Sequence, residues 1–371
     1  MEFSINRDTF LKAISHASGI IERKTTFPIL SNILIEAKNS KIKITATDLD
    51  IIYFEEISPQ ELTKEGSTTT SASILYDILR KLKPNSKVEL SLQNPNKLKL
   101  VSENSKFNLL CLPPNDFPLS EEDVNKNAFE VSSQKLLKLL HKTKISISSD
   151  ETRHYLNGIY LHKIQSENKS FLCGVATDSH RLSSSSLEID PSIEIEPIIL
   201  PKKTIFQLIS LLEQSSSSIK ISNSKSKIKF EMDSGILISK VIDGRFPEYN
   251  KVIPKDNDKV LQIKLEEFKN SIERVTTVSS DRKEGLKVAI SKNAVQLSVN
   301  NPISGEGIEN VGAKFNSEDL SISFNSRYLT DIISQIENEF IIINLKDAGS
   351  PVLINDLSDK NSFHVVMPMK I

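Results

Sequence analysis

Phe3-Ser4-Ile5 followed by Phe10-Leu11-Lys12-Ala13-Ile14 opens the chain, and the pattern returns twice, as Phe129-Glu130-Val131 with Leu136-Leu137-Lys138-Leu139-Leu140 and as Leu261-Gln262-Ile263 with Phe268-Lys269-Asn270-Ser271-Ile272. Each copy reads as a short alternating strand running into a helix. A second helix follows in each, with apolar residues at i, i+3, i+4 and i+7: Leu75, Ile78, Leu79, Leu82; Ile205, Leu208, Ile209, Leu212; Leu329, Ile332, Ile333, Ile336. The first helices carry a matching stripe through Phe10, Ala13, Ile14 and Ala17, through Leu136, Leu139, Leu140 and Thr143, and through Phe268, Ser271, Ile272 and Val275. Alternating runs at 41–45, 87–92, 228–232 and 295–299 predict half-buried antiparallel strands. The expected fold is α+β: three like domains, over 1–122, 128–250 and 259–371, each with two helices packed on an antiparallel sheet. Polar stretches at 120–127 and 254–258 read as interdomain links, and 215–218 as a loop. Repeats this long are domains rather than solenoid units.

Triplication of a whole domain points to a scaffold whose geometry is its function, since catalysis needs one site. The charge total agrees: 47 Lys+Arg against 48 Asp+Glu give a formal net charge of −1, so the chain is no general polyanion binder and any basic surface must be local. Cys111 and Cys173 lie in apolar runs without paired spacing and read as buried free thiols. No apolar stretch approaches membrane-spanning length and the start lacks a signal-peptide pattern, so a cytoplasmic protein is expected.

Alignment of the first helices places Lys12, Lys138 and Asn270 in one column and His16, Lys142 and Arg274 four residues later on the same face. The second helices add Lys202, Lys203 and Arg327 near their starts, where cations oppose the helix dipole, and Arg80 and Lys81 near the end of the first copy. Recurrence of cations at equivalent places predicts a basic lining on the helical side. Glu55 to Gln60, Glu121 to Asp123 and Glu188 to Glu196 are then candidates for an acidic outer side.

Two other functions fit parts of the sequence. Asp48 with Asp50, or Asp178 with His180 and Arg181, could form a nuclease-like metal or acid-base cluster; their equivalent places after strands favour a turn role. No histidine pair has zinc-binding spacing, so neither metal nor cofactor is expected. The other reading, an adhesion or structural repeat protein, sits poorly with lysine-bearing helix columns and no secretion signal.

From end to end the residues resemble the bacterial sliding clamp family, the beta subunit of DNA polymerase III. The resemblance is carried by Pro28-Ile29-Leu30-Ser31-Asn32, Ala46-Thr47-Asp48-Leu49, Tyr155-Leu156-Asn157-Gly158, Ala176-Thr177-Asp178-Ser179-His180-Arg181-Leu182, Asp243-Gly244-Arg245-Phe246-Pro247 and Val365-Val366-Met367-Pro368-Met369-Lys370-Ile371. It implies a non-catalytic processivity factor, a head-to-tail homodimer whose six domains encircle duplex DNA with helices lining the hole. DNA contacts would fall at Lys12, Lys24, Arg80, Lys138, Lys142, His154, Tyr155, Lys202, Lys203 and Arg274; Ser73 and Asp150 stand where the family often has basic or amide residues. It also implies a groove for short partner peptides at Leu156, Thr177, His180, Arg181, Leu182, Pro247, Lys251, Val252, Val366, Met367, Pro368 and Met369, with Lys251 and Lys370 in place of frequent arginines and Pro351 in place of a serine. Implied partners are the replicative polymerase alpha subunit, a clamp-loader ATPase, other polymerases, and repair and ligation proteins. The dimer contact would join Phe107 and Leu109 to Thr277 and Val278 of the second copy. The chain has no GxxxxGK[ST] phosphate loop, so an ATPase that opened such a ring would be another protein.

Overall fold

In the computed structural model the described residues are 1–22, 26–119, 124, 128–166, 168–215, 217–279 and 285–369. Lys24, Glu121 to Asp123 and Lys370 therefore lie outside them. Among the described residues six α-helices appear where the stripes place them: α1 (Arg7–Ser18), α2 (Ala72–Lys81), α3 (Ser133–Lys144), α4 (Lys202–Leu212), α5 (Leu265–Val275) and α6 (Ser326–Ile333). Local chemistry sets their starts. The Asn6 side chain accepts from the Asp8 and Thr9 amides at 2.8 and 3.3 Å, and Asn325 accepts from Arg327 at 3.0 Å. α5 lacks a side-chain cap and instead carries Glu266 and Glu267 in its first turn, where they complement the dipole. The stripe residues Phe10, Ala13, Ile14 and Ala17 are fully buried, as are Leu75 and Leu79.

Among the described residues the strands pair antiparallel, in two sheets. The chain packs as two compact units, Met1–Gln134 with Phe206–Val241, and Lys135–Ile205 with Ile242–Ile371. The first unit holds a 13-stranded sheet, in which Gly235–Lys240 of the middle repeat pairs with Ile51–Ile57 of the first. The second holds a 12-stranded sheet, in which Arg181–Ile189 of the middle repeat pairs with Asp359–Val366 of the third. Repeats are thus joined by strand pairing: the strand after the Thr-Asp turn of one repeat takes the last strand of the next.

That pattern leaves two ends unmade. Ser105–Leu112, the last strand of the first repeat, pairs along one side with Lys97–Ser102 and on the other only where Cys111 and Leu112 meet Thr70 and Thr69. Gly305–Lys314, the corresponding strand of the third repeat, pairs along one side with Ala294–Asn301 and on the other only at Ala313 and Lys314. Both cysteines are buried and free. Among the described residues no helix is long and apolar enough to cross a membrane, and no cluster of three His, Cys, Asp or Glu side chains could hold a metal.

Candidate functional site

The Thr-Asp motifs build one turn twice. In the first repeat the Thr47 hydroxyl donates to the Ile51 carbonyl (2.9 Å) and accepts from the Leu49 amide (3.0 Å), while Asp48 Oδ1 accepts from the Asp50 and Ile51 amides at 3.0 and 2.7 Å. In the second, Thr177 and Asp178 repeat these bonds to Arg181, Ser179 and His180. Leu49 and Ser179 share the strained backbone the turn requires, with φ of 79° and 78°. These aspartates are committed to backbone amides, which accounts for them without a nuclease site.

In the middle repeat the turn presents His180 and Arg181 to a cavity of about 230 Å³. Arg181 is fixed on three sides: Nε reaches Asp178 at 3.1 Å, Nη1 reaches Asp331 at 2.7 Å, and the guanidinium lies 4.3 Å from the centre of the Tyr328 ring. Its charge is consumed internally, so it serves as a wall rather than as an anion hook. Leu182, Tyr249 and Val365 join Leu156 in the apolar cluster beneath the cavity. Thr177, Ser179, Pro247, Glu248, Val252 and Met367 complete the lining, with Val252 and Met367 exposed. The C-terminal segment is held by its backbone: the Met367 amide donates to His180 (2.8 Å) and the Met369 amide to Ser323 (2.7 Å).

Of the groove residues expected from sequence, Thr177, His180, Arg181, Leu182, Pro247, Val252 and Met367 line this cavity, and Leu156 lies under it. Val366 is turned into the third repeat's core, and Pro368 and Met369 are not among the lining residues. Lys251 is displaced: it ion-pairs with Glu248 and lines a neighbouring cavity. Ser179, Glu248, Tyr249 and Val365 were missed. Tyr249 had a legible signal, an aromatic two residues after Pro247.

The cationic helix column has a different explanation from the one expected. His16 Nδ1 lies 2.7 Å from Glu55 and Nε2 lies 3.1 Å from Gln214, all within the first unit. Glu55 is buried against His16 and Tyr53, which removes it from the proposed acidic outer side. Arg274 pairs with Glu309, whose carboxyl is held down at about 2 by the Arg274 guanidinium and the Ser271 hydroxyl. Counting from the equivalent strand starts, Glu55, Ser185 and Glu309 occupy one place. Where the middle repeat has Ser185, its cation turns elsewhere: Lys142 Nζ lies 3.4, 3.3 and 3.6 Å from Asp356, Asp359 and Glu337. Lys142 is 2% exposed, so its assignment to a DNA-contacting surface is corrected: burial requires that ammonium to be paired inside the protein. Lys138 bridges Glu337 and Asp359 at 2.9 and 3.3 Å. Burial opposes ionisation of Asp356 and Asp359, yet both carboxyls sit below the usual range, Asp356 through Ser358 and backbone amides and Asp359 chiefly through Lys142.

The remaining cations are accessible. Lys12, Arg80 and Lys203 are exposed and Lys202 is half-buried, its Nζ 3.1 Å from Ser149. Arg80 has Asp77 at 3.6 Å. His154 is exposed, 3.2 Å from the Asp243 carbonyl, and meets Tyr155 edge to face. Tyr155 packs over Gly244, where φ is 149° and a Cβ would sit 3.2 Å from the Tyr155 Cβ, so glycine fits that turn. Phe107 is half-buried and Leu109 buried; the most exposed apolar side chain of that strand is Leu110. Thr277 is exposed, and Val278 packs against the third core.

Residues 1–121, 130–248 and 250–370 match, in turn, the models of the N-terminal, central and C-terminal domains of the DNA polymerase III beta subunit. The chain belongs to this family. It is 36% identical to the beta sliding clamp of Caulobacter vibrioides and 30% identical to that of Pseudomonas aeruginosa, over the full length of each pair. Similar solved structures include the Caulobacter crescentus clamp with polyethylene glycol bound (TM-score 0.97, 35% identity, covering 100% of this chain and 99% of that one). A Bartonella birtlesii clamp bound to griselimycin has a TM-score of 0.96 and 38% identity, with both chains fully covered. Membership makes the protein a sliding clamp of DNA replication, without catalysis of its own.

Proposed function

We infer that two copies of this chain join head to tail into a six-domain ring around duplex DNA, and that each copy tethers partner proteins by a peptide seated in the cavity beside Arg181. The observation that carries the ring is the pair of unmade strand edges. Each internal junction joins the strand after the Thr-Asp turn to the last strand of the next repeat, and one chain retains one member of each kind without such a junction, Gly305–Lys314 and Ser105–Leu112. Two copies make the same junction twice, satisfying edges that would otherwise invite uncontrolled pairing. Phe107 and Leu109 then contribute through backbone and core, Leu110 through its exposed side chain, and Thr277 and Val278 from the facing end of α5.

Lys12, Lys24, Arg80, Lys202, Lys203, His154 and Tyr155 are the proposed DNA-facing set, with Lys138 and Arg274 as paired, secondary contributors. A small number of accessible cations suits a ring that must slide, because phosphate contacts give affinity without sequence and many would stall it. In the groove, Leu182, Val252 and Met367 offer apolar surface to bulky anchors, and the thioether repacks around different ones. Proposed occupants are peptides of the replicative polymerase alpha subunit, the clamp-loader ATPase, other polymerases, and repair and ligation proteins in the cytoplasm. The test is retention on nicked circular against linear DNA, combined with sedimentation. A dimer that stays on circles and slips from linear ends is expected; a monomer at all concentrations, or equal loss from both templates, overturns the reading.

A further inference from the structure

A second cavity, of about 590 Å³, adjoins the peptide groove and shares with it the wall Pro247, Glu248 and Tyr249. This size falls in the range of ligand-binding sites. Its aromatic side is rigid: Phe246, Tyr160 and His162 stack in series, with ring centres 4.9 and 4.4 Å apart and planes within 9° and 17° of parallel. His162 Nε2 meets the Tyr249 hydroxyl at 2.9 Å, so the residue dividing the two cavities is held from the far side. Burial lowers His162 to about 4, leaving it uncharged at neutral pH. The charges on the lining are then Arg245, Glu248 and Lys251. One carboxylate faces two cations: Glu248 pairs with Lys251 and lies 3.4 Å from Arg245. Arg245 is 87% and Lys251 78% exposed at the side chain, so the rim carries one positive charge in excess and both cations can turn to a new partner.

We propose that this cavity is an extension of the peptide groove that receives an acidic segment flanking the partner's apolar anchors. Two observations select that occupant. The shared wall sets this cavity next to the groove, within reach of a chain that leaves it over Tyr249, and the surplus cation on its rim favours carboxylates over neutral or basic side chains. Exposed pairs of this kind act mainly on specificity and association rate. Partners with the same anchors would thus be ranked by their flanking sequence. The proposal rests on the groove reading.

The test is fluorescence anisotropy at low salt with three probes: a core peptide bearing glutamine and two bulky apolar anchors, the core with three Asp/Glu residues added at one or the other end, and the matching Asn/Gln extensions. One acidic extension is expected to bind about threefold to tenfold more tightly than its amide control. That gain should shrink in Arg245→Ser and reverse in Arg245→Glu, while the core peptide binds all three proteins alike. Equal affinity of acidic and amide extensions, or an undiminished gain in both variants, overturns the proposal while leaving the groove intact. Failure of the core peptide to bind, or its indifference to Met367→Ala, sinks the groove reading and this proposal with it.

Discussion

Lys142 shows how a residue can be legible in position and misread in purpose. Its recurrence with His16 and Arg274 was visible in the sequence, but recurrence marks a shared constraint without saying which surface imposes it. The constraint is a carboxylate beside the first helix, and the substitution of Ser185 for that carboxylate redirected Lys142 to Asp356 and Asp359. Those partners lie over 200 residues away in the chain, out of reach of any local pattern. Lys142→Ala would leave buried Asp356 without its cation and should cost about 3–5 kcal/mol in urea unfolding. A loss under about 1 kcal/mol would show that solvent compensates the pair. Lys12→Glu with Lys203→Glu should leave stability unchanged and weaken DNA retention. Two histidines add a pH dependence. Burial holds His364 at about 3 and His162 at about 4, against about 6.5 when unfolded. The unfolded chain therefore binds the extra protons, so stability is full above pH ~6.5 and falls as pH drops toward ~4, at roughly 1.4 kcal/mol per unit for each histidine. His364→Gln should flatten that slope in unfolding titrations from neutral pH downward; an unchanged slope would place the uptake on other groups.

Among the elements, helices were read more completely than sheet partners. Stripes at Leu75 and Leu79, or Leu329, Ile332 and Ile333, fix a helix and its buried face from local spacing alone, and the structure buries all of them. Alternation in Ser105–Leu112 or Gly305–Lys314 likewise reveals a strand, yet not which neighbour it takes, because pairing depends on residues far off in the chain. The Leu109 expectation shows the difference: alternation faces Leu109 inward and Leu110 outward, 85% exposed. On the other open strand Ile308 is the exposed apolar side chain. Leu110→Lys combined with Ile308→Lys should convert the dimer to a folded monomer, seen by sedimentation with unaltered circular dichroism. Each removes apolar surface from one side of the junction and places like charges there. A persistent dimer would mean that the two strands do not meet.

For the molecule as a whole, retention and affinity separate, and that separation gives the sharpest expectation. Net charge −1 and internally paired Lys138, Lys142 and Arg274 leave few cations for phosphate, so binding to linear duplex should be weak and its salt slope small, with about 0.9 lost from the slope for each contact removed. A closed ring on circular DNA is held by topology, which salt does not screen. Raising ionic strength should therefore strip the protein from linear duplex while a loaded ring remains on a nicked circle, until salt or denaturant opens the strand junction itself. Linearising the circle by a single restriction cut at that same salt should release it at once. If protein leaves circle and line at the same ionic strength, attachment is electrostatic, and the two open edges serve some association other than a closed ring.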